Sequence, residues 1–215
     1  MSVAAAGAGG PGRPSAQGAA LTRFVVASGN RGKLAEFERL LGGAGIAFVP
    51  QGELGVDDIE ETGRTFVENA LLKARHASRA TGLPALGDDS GLCVDALGGA
   101  PGLYSARYAG AHGDSAANIA RLLRELDGVA DAARTARFHC VLALLRSHDD
   151  PRPLIVEGSW EGRILRAPRG EHGFGYDPVF LDPENAMSAA ELEPAIKNAI
   201  SHRGRALAAL KARLG

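Results

Sequence analysis

Cysteine, aromatic rings and net charge are all scarce in this 215-residue chain. Its two cysteines, Cys93 and Cys140, have neither CxxC spacing nor a partner set, which excludes a disulfide framework and favours a reducing, cytoplasmic home. Both read as small hydrophobes packed in strands. With 24 Lys+Arg against 25 Asp+Glu, the formal charge of −1 argues against a nucleic-acid coat or a membrane-surface binder. No stretch approaches the roughly 18 consecutive apolar residues of a membrane span. The six histidines show no paired helical spacing, so a zinc centre finds no ligands. Residues 1–20 hold one charge, Arg13, and no basic segment leading into an apolar one, so no secretory signal is read. The surplus is glycine, 29 residues, which asks for a flexible tail, many special backbone sites, or both.

The Ala/Gly-rich segment 1–21 is expected to be disordered, and the folded part, 22–215, to begin near Thr22. Phe24 to Ala27 fits a buried strand, Ser28-Gly29-Asn30 a turn, and the spacing of Leu34, Phe37, Leu40 and Leu41 predicts a helix over 31–42 capped by Asn30. Ile46 to Val49 reads as a second strand, followed by an acidic loop from Gln51 to Gly63. A second helix is expected from Thr65 to Ala80, with Asn69, Lys73 and His76 on its polar side. Gly87-Asp88-Asp89-Ser90-Gly91 has the chemistry of a tight turn before a strand at Leu92 to Ala96. A helix follows from Ser115 to Leu126, and Thr135 to Arg146 with Leu154 to Ile164 predict a hairpin. Ser201 is placed as the cap of a last helix.

Two helix starts carry the wrong charge for their dipoles. Arg31 and Lys33 follow Asn30, and His202 and Arg203 follow Ser201, where acids are the ordinary choice. A bound anion resolves this conflict, because free N–H groups, a lysine and Gly29 together form a phosphate cradle; solvated surface cations are the plainer reading. Glu60-Glu61 and Asp88-Asp89 are two carboxylate pairs at the ends of different segments, and a magnesium ion with its oxygen ligands would relieve their repulsion. Read locally, they could equally be a solvated turn and a charge pair before a helix. Phe174 and Tyr176 alternate with glycines, suited either to base stacking or to anchoring a loop, while Trp160 reads as core.

Ser28-Gly29-Asn30-x-x-Lys33, Glu60-Glu61-Thr62-Gly63, Asp88-Asp89-Ser90-Gly91-Leu92, Phe174-Gly175-Tyr176-Asp177 and Ser201-His202-Arg203 occur together and in order. With Thr65 to Ala70 and Gly99 to Arg107 between them, the chain resembles the inosine/xanthosine triphosphate pyrophosphatases, the RdgB-like family that clears non-canonical purine nucleotides. The resemblance implies an α/β fold with a mixed central sheet, flanking helices and two lobes around a substrate cleft. It also implies a homodimer and Mg²⁺-dependent hydrolysis of ITP, dITP or XTP to the monophosphate and pyrophosphate. By the same resemblance, Ser28, Gly29, Asn30, Arg31, Gly32 and Lys33 hold the triphosphate; Asp89 accepts the proton of the attacking water; and Glu60 or its neighbour Glu61, together with Asp89, binds the metal. Lys73, Ser90, Phe174, Gly175, Tyr176, Asp177, Lys197, His202 and Arg203 are implied substrate contacts. Ile196 stands where many members carry an acid, which leaves Lys197 without a local partner.

Overall fold

The computed structural model describes residues 22–30, 32–34, 36–37 and 46–214. The tail expected over 1–21, Arg31, and much of the helix expected over 31–42 lie outside the described residues. Seven strands form one open sheet: β1 (Thr22–Ala27), β2 (Ile46–Pro50), β3 (Ala85–Val94), β4 (Thr135–Leu145), β5 (Leu154–Ile164), β6 (Phe180–Asp182) and β7 (Met187–Ser188). Their spatial order is β2-β1-β3-β4-β5-β6-β7. β1 runs parallel to β2 and β3, and every later neighbour is antiparallel, so the sheet is mixed as expected.

Among the described residues, 32–34 and 36–37 are helical, and four longer helices flank the sheet: α1 (Phe66–Thr81), α2 (Ser115–Glu125), α3 (Pro194–Ile200) and α4 (His202–Leu214). Thr65 starts α1 by accepting from the Glu68 N–H at 3.1 Å, while Glu68 Oε2 accepts from the Arg64 N–H at 2.7 Å. Thr-x-x-Glu thus works as a capping box. Ser201 caps α4 through the Gly204 N–H at 3.1 Å, and Asn30 Oδ1 accepts from the Gly32 and Lys33 N–H groups at 2.9 and 3.2 Å. Among the described residues no helix is long and apolar enough to cross a membrane.

The expected turn at Gly87–Gly91 is not a turn. β3 is unbroken from Ala85 to Val94 and pairs with β4 along its whole length, from Ala85 opposite Leu145 to Val94 opposite Ala136. The antiparallel ladder satisfies the backbone, so the acids project from a central strand instead of into solvent. Gly87 and Gly91 serve close packing here: a Cβ on Gly87 would lie 2.1 Å from the Ala70 carbonyl, and one on Gly91 2.3 Å from that of Gly102.

β3, β4 and β5 thread two hydrophobic cores. Leu86, Leu142 and Val156 pack with Phe24, Leu207 and Leu210 at one end. Leu92, Phe138 and Trp160 pack with Leu122, Leu126 and Phe180 at the other. β1 pairs with β3 only as far as Ala27 opposite Gly87, so β3 continues past the carboxyl end of β1 with that edge open. A cleft at this place, beyond the end of a parallel strand, is where open α/β sheets bind ligands.

Candidate functional site

Successive residues of a strand project to opposite faces, so Asp88 and Asp89 cannot share an environment. Asp88 faces α4. Arg203 Nε donates to Asp88 Oδ2 at 2.7 Å, Lys33 Nζ pairs with Oδ1, and Ser90 Oγ donates to Oδ1 at 3.2 Å. Arg203 also donates to Glu36 Oε2 at 2.6 Å and to Ser90 Oγ at 2.8 Å, and is itself only 1% exposed. Burial alone would push the Asp88 carboxyl up, but the Arg203 and Lys33 charges outweigh it and hold the pKa well below the ordinary range.

Asp89 faces α1. Lys73 Nζ sits between Asp89 Oδ1 at 2.8 Å and Glu61 Oε1 at 2.7 Å. Asp89 Oδ2 is buried and has no hydrogen-bond partner. Burial raises the Asp89 pKa despite Lys73, whereas Glu61, also opposed by burial, is lowered by the Lys73 charge. Lys73 in turn is disfavoured by burial but kept an ammonium by Asp89 and Glu61. Glu60 is exposed at the cleft and takes no part in this cluster.

Among the described residues no three His, Cys, Asp or Glu side chains converge on one point, which excludes a closed, all-protein metal cage. Magnesium needs less, typically one or two carboxylates with waters and phosphates completing its shell. The unpartnered Asp89 Oδ2 and the neighbouring Glu61 supply such a donor set. Asp88 does not, since both its oxygens are engaged.

Across the cleft, the Phe174 and Tyr176 rings divide the two uses read for them. Phe174 is 39% exposed, while Tyr176 is buried and donates its hydroxyl to the Ser105 carbonyl at 2.9 Å. Gly175 turns the chain between them at φ 62°. Asp177 Oδ2 accepts from the Phe174 N–H at 2.7 Å and from Lys197 Nζ at 2.6 Å, and the Lys197 ammonium lies 5.1 Å from the Phe174 ring centroid. The partner that Lys197 lacks at Ile196 therefore comes from Asp177. His202 stacks on Phe138, centroids 4.8 Å apart, with Nδ1 buried and unpartnered. Burial, then the Arg203 charge, push its pKa well below the usual value, so the ring is neutral.

The structure brings these groups together in one cavity of about 900 Å³, lined among others by Asn30, Lys33, Glu61, Asp89, Phe174 and His202. Ser28 and Gly29 line it beside Asn30, with Ser28 Oγ accepting from the Asn30 N–H at 3.2 Å. Arg203, like Lys33, Lys73 and Lys197, is already paired with acids of the protein. It lines the cavity wall, yet its hydrogen bonds go to Asp88, Glu36 and Ser90, so it orders the acids and does not present a free fork. Sequence reasoning missed Glu36 and Arg107, while Asn69, expected on the polar side of its helix, is buried with its Oδ1 accepting from the Gly63 N–H at 2.8 Å. Glu36 had a signal, standing three positions after Lys33 on the same helical face.

Residues 24–213 match the Ham1 family. The chain is 63% identical over 200 residues to the dITP/XTP pyrophosphatase of Burkholderia pseudomallei, covering 92% of this chain and 95% of that protein. It is 60% identical over 194 residues to the dITP/XTP pyrophosphatase of Xanthomonas campestris pv. campestris, strain 8004, covering 90% and 98%. Among solved structures, a HAM1 protein from Coxiella burnetii superposes with a TM-score of 0.84 at 55% identity, covering 89% of this chain and 98% of that one.

Proposed function

The chain belongs to the Ham1 family, and we propose on that premise that it hydrolyses the triphosphates of deaminated purines, ITP, dITP and XTP, to the monophosphate and pyrophosphate. It acts as a housecleaning hydrolase on phosphoric anhydride bonds. The observation that carries the reading is Asp89, a cavity-lining acid with one carboxylate oxygen buried and unpartnered, in the cavity that Asn30 and Lys33 also line.

Asp89 takes the proton of the attacking water, a role suited to a carboxyl whose pKa burial raises above its ordinary value. Magnesium held by Asp89 and Glu61 would supply charge neutralisation for the phosphates and the leaving pyrophosphate. Lys73 keeps those two carboxylates together. The N–H groups after Asn30 and the Lys33 ammonium orient the triphosphate. Phe174 offers an exposed ring for the base to stack on, worth about 1–3 kcal/mol and tolerant of base identity. Discrimination falls to polar groups such as His202 Nδ1, which in the protonated tautomer donates to a 6-keto oxygen and gains nothing from an amino group.

Family membership supports a homodimer, and the two free thiols support a cytoplasmic location. A single monomeric species in sedimentation velocity at micromolar concentration would remove the former. The main test is pyrophosphate release from ITP, XTP, dATP, dGTP and dTTP with and without Mg²⁺. Keto-purine preference and a metal requirement are expected, with Asp89→Asn losing about 10²–10⁴ in kcat. Equal rates on dTTP, or an active Asp89→Asn enzyme, would sink the reading.

A further inference from the structure

The cations lining the cavity differ in what each leaves behind if it turns to a ligand. Lys33 and Arg203 both serve Asp88, whose side chain is 0% exposed. Lys197 serves Asp177, 5% exposed, and Lys73 is divided between Glu61 and Asp89. Withdrawing any of these from its carboxylate weakens the compensation of a buried charge, which proteins tolerate poorly. Arg107 is different. Its Nη1 stands 3.5 Å from Glu61 Oε2, without hydrogen-bond geometry, and Glu61 keeps Lys73 at 2.7 Å if Arg107 leaves. The Arg107 side chain is 34% exposed, and its guanidinium carbon lies 5.2 Å from the ring centroid of the exposed Tyr104.

We infer that Arg107 is a mobile phosphate clamp, which leaves Glu61 when the triphosphate enters and closes on its oxygens. The inference rests on the proposed nucleotide substrate and adds a residue to its recognition. The physical basis is threefold. A guanidinium fork matches phosphate oxygens bidentately, which an ammonium cannot do. Arg107 ends the 3-10 segment Gly102–Arg107, whose body is pinned to β3 by the Leu92 N–H to Ser105 Oγ bond at 2.9 Å and to the base side by Tyr176, so the side chain moves from a fixed root. The departure strands no carboxylate. Arg107 is thereby a binding residue for the anionic part of the substrate, and the Tyr104 ring is the shelf it rests on when the cleft is empty.

Calorimetric titration of wild type, Arg107→Ala and Arg107→Lys with inorganic pyrophosphate and, separately, with IMP tests this, alongside KM and kcat for ITP. The expected result is a loss of about tenfold to a hundredfold in pyrophosphate affinity for Arg107→Ala, only partial recovery in Arg107→Lys, and IMP affinity within about twofold of wild type. KM for ITP should rise with the pyrophosphate constant. Circular dichroism melting identifies any variant that fails to fold, and Arg107→Gln then takes the place of Arg107→Ala. Unchanged pyrophosphate affinity in folded Arg107→Ala or Arg107→Gln overturns the inference, as does an equal loss for IMP. If wild type itself releases no pyrophosphate from ITP, the functional reading fails instead, and the two failures are distinguishable.

Discussion

Asp88 and Asp89 share a peptide bond yet face opposite sides of β3, and each side treats its carboxylate differently. On the α4 side Asp88 is saturated by Arg203, Lys33 and Ser90. On the α1 side Asp89 has one oxygen on Lys73 and the other on nothing. Burial acts on both, but the cations reverse its effect at one and fall short at the other. Two adjacent acids therefore do not amount to one acid pair. One is neutralised on both oxygens by cations and a hydroxyl, and the other keeps an oxygen without a partner.

The sharpest way to break the comparison is to neutralise each acid in turn. Asp89→Asn should abolish most turnover while leaving the fold at least as stable, since it removes a carboxylate that burial disfavours. Asp88→Asn should do the reverse in stability, leaving Arg203 under-compensated in the interior at a cost of about 3–5 kcal/mol, read from urea denaturation. Equal effects of the two substitutions on stability would refute the division of labour.

A second contrast lies in pH. Asp88, with its pKa below the ordinary 3.8, contributes stability that is present above that pH and lost as the pH falls through its folded value. Asp89, with its pKa raised above 3.8, contributes in the opposite sense: its share is full below 3.8 and lost as the pH rises through its folded value. In metal-free protein, denaturation curves between about pH 2 and 6 should show an acid loss that Asp88→Asn reduces and Asp89→Asn does not. Carboxyl NMR of labelled aspartate should place the two titrations on either side of 3.8. The smallest effect sharpens the α1 side alone. Thr65→Ala removes the cap that starts the helix carrying Lys73, and should cost about 1 kcal/mol in the same denaturation assay.

Much of the frame was legible locally. The β4–β5 hairpin, the caps at Asn30 and Ser201, and the strand before Ser28 follow from alternation and from side chains that bond their own neighbourhood. Asp88-Asp89-Ser90-Gly91 did not, because it has turn chemistry by composition and becomes strand only when β4 lines up opposite it. Its counter-ions lie far off in sequence, at Lys33 and Arg203, beyond the reach of any local pattern. α3 was missed for a related reason: seven residues beginning with Pro194 give too little periodicity to register. At the site, motif resemblance named many residues that line one cavity but could not separate Glu60 from Glu61, nor show that Arg203 is paired with Asp88 and Glu36. Those distinctions depend on which way a side chain points.

The unbroken β3 has a metric consequence. A strand advances about 3.3 Å per residue and cannot stretch, so Asp89 and the cavity-lining Leu92 are held at a separation of roughly 10 Å. Both belong to one covalent segment clamped into two cores. Asp89 and Leu92 project to opposite faces of that segment, so the strand holds an acid on its α1 side and a core side chain on its other side at one fixed spacing, and neither can shift without the other.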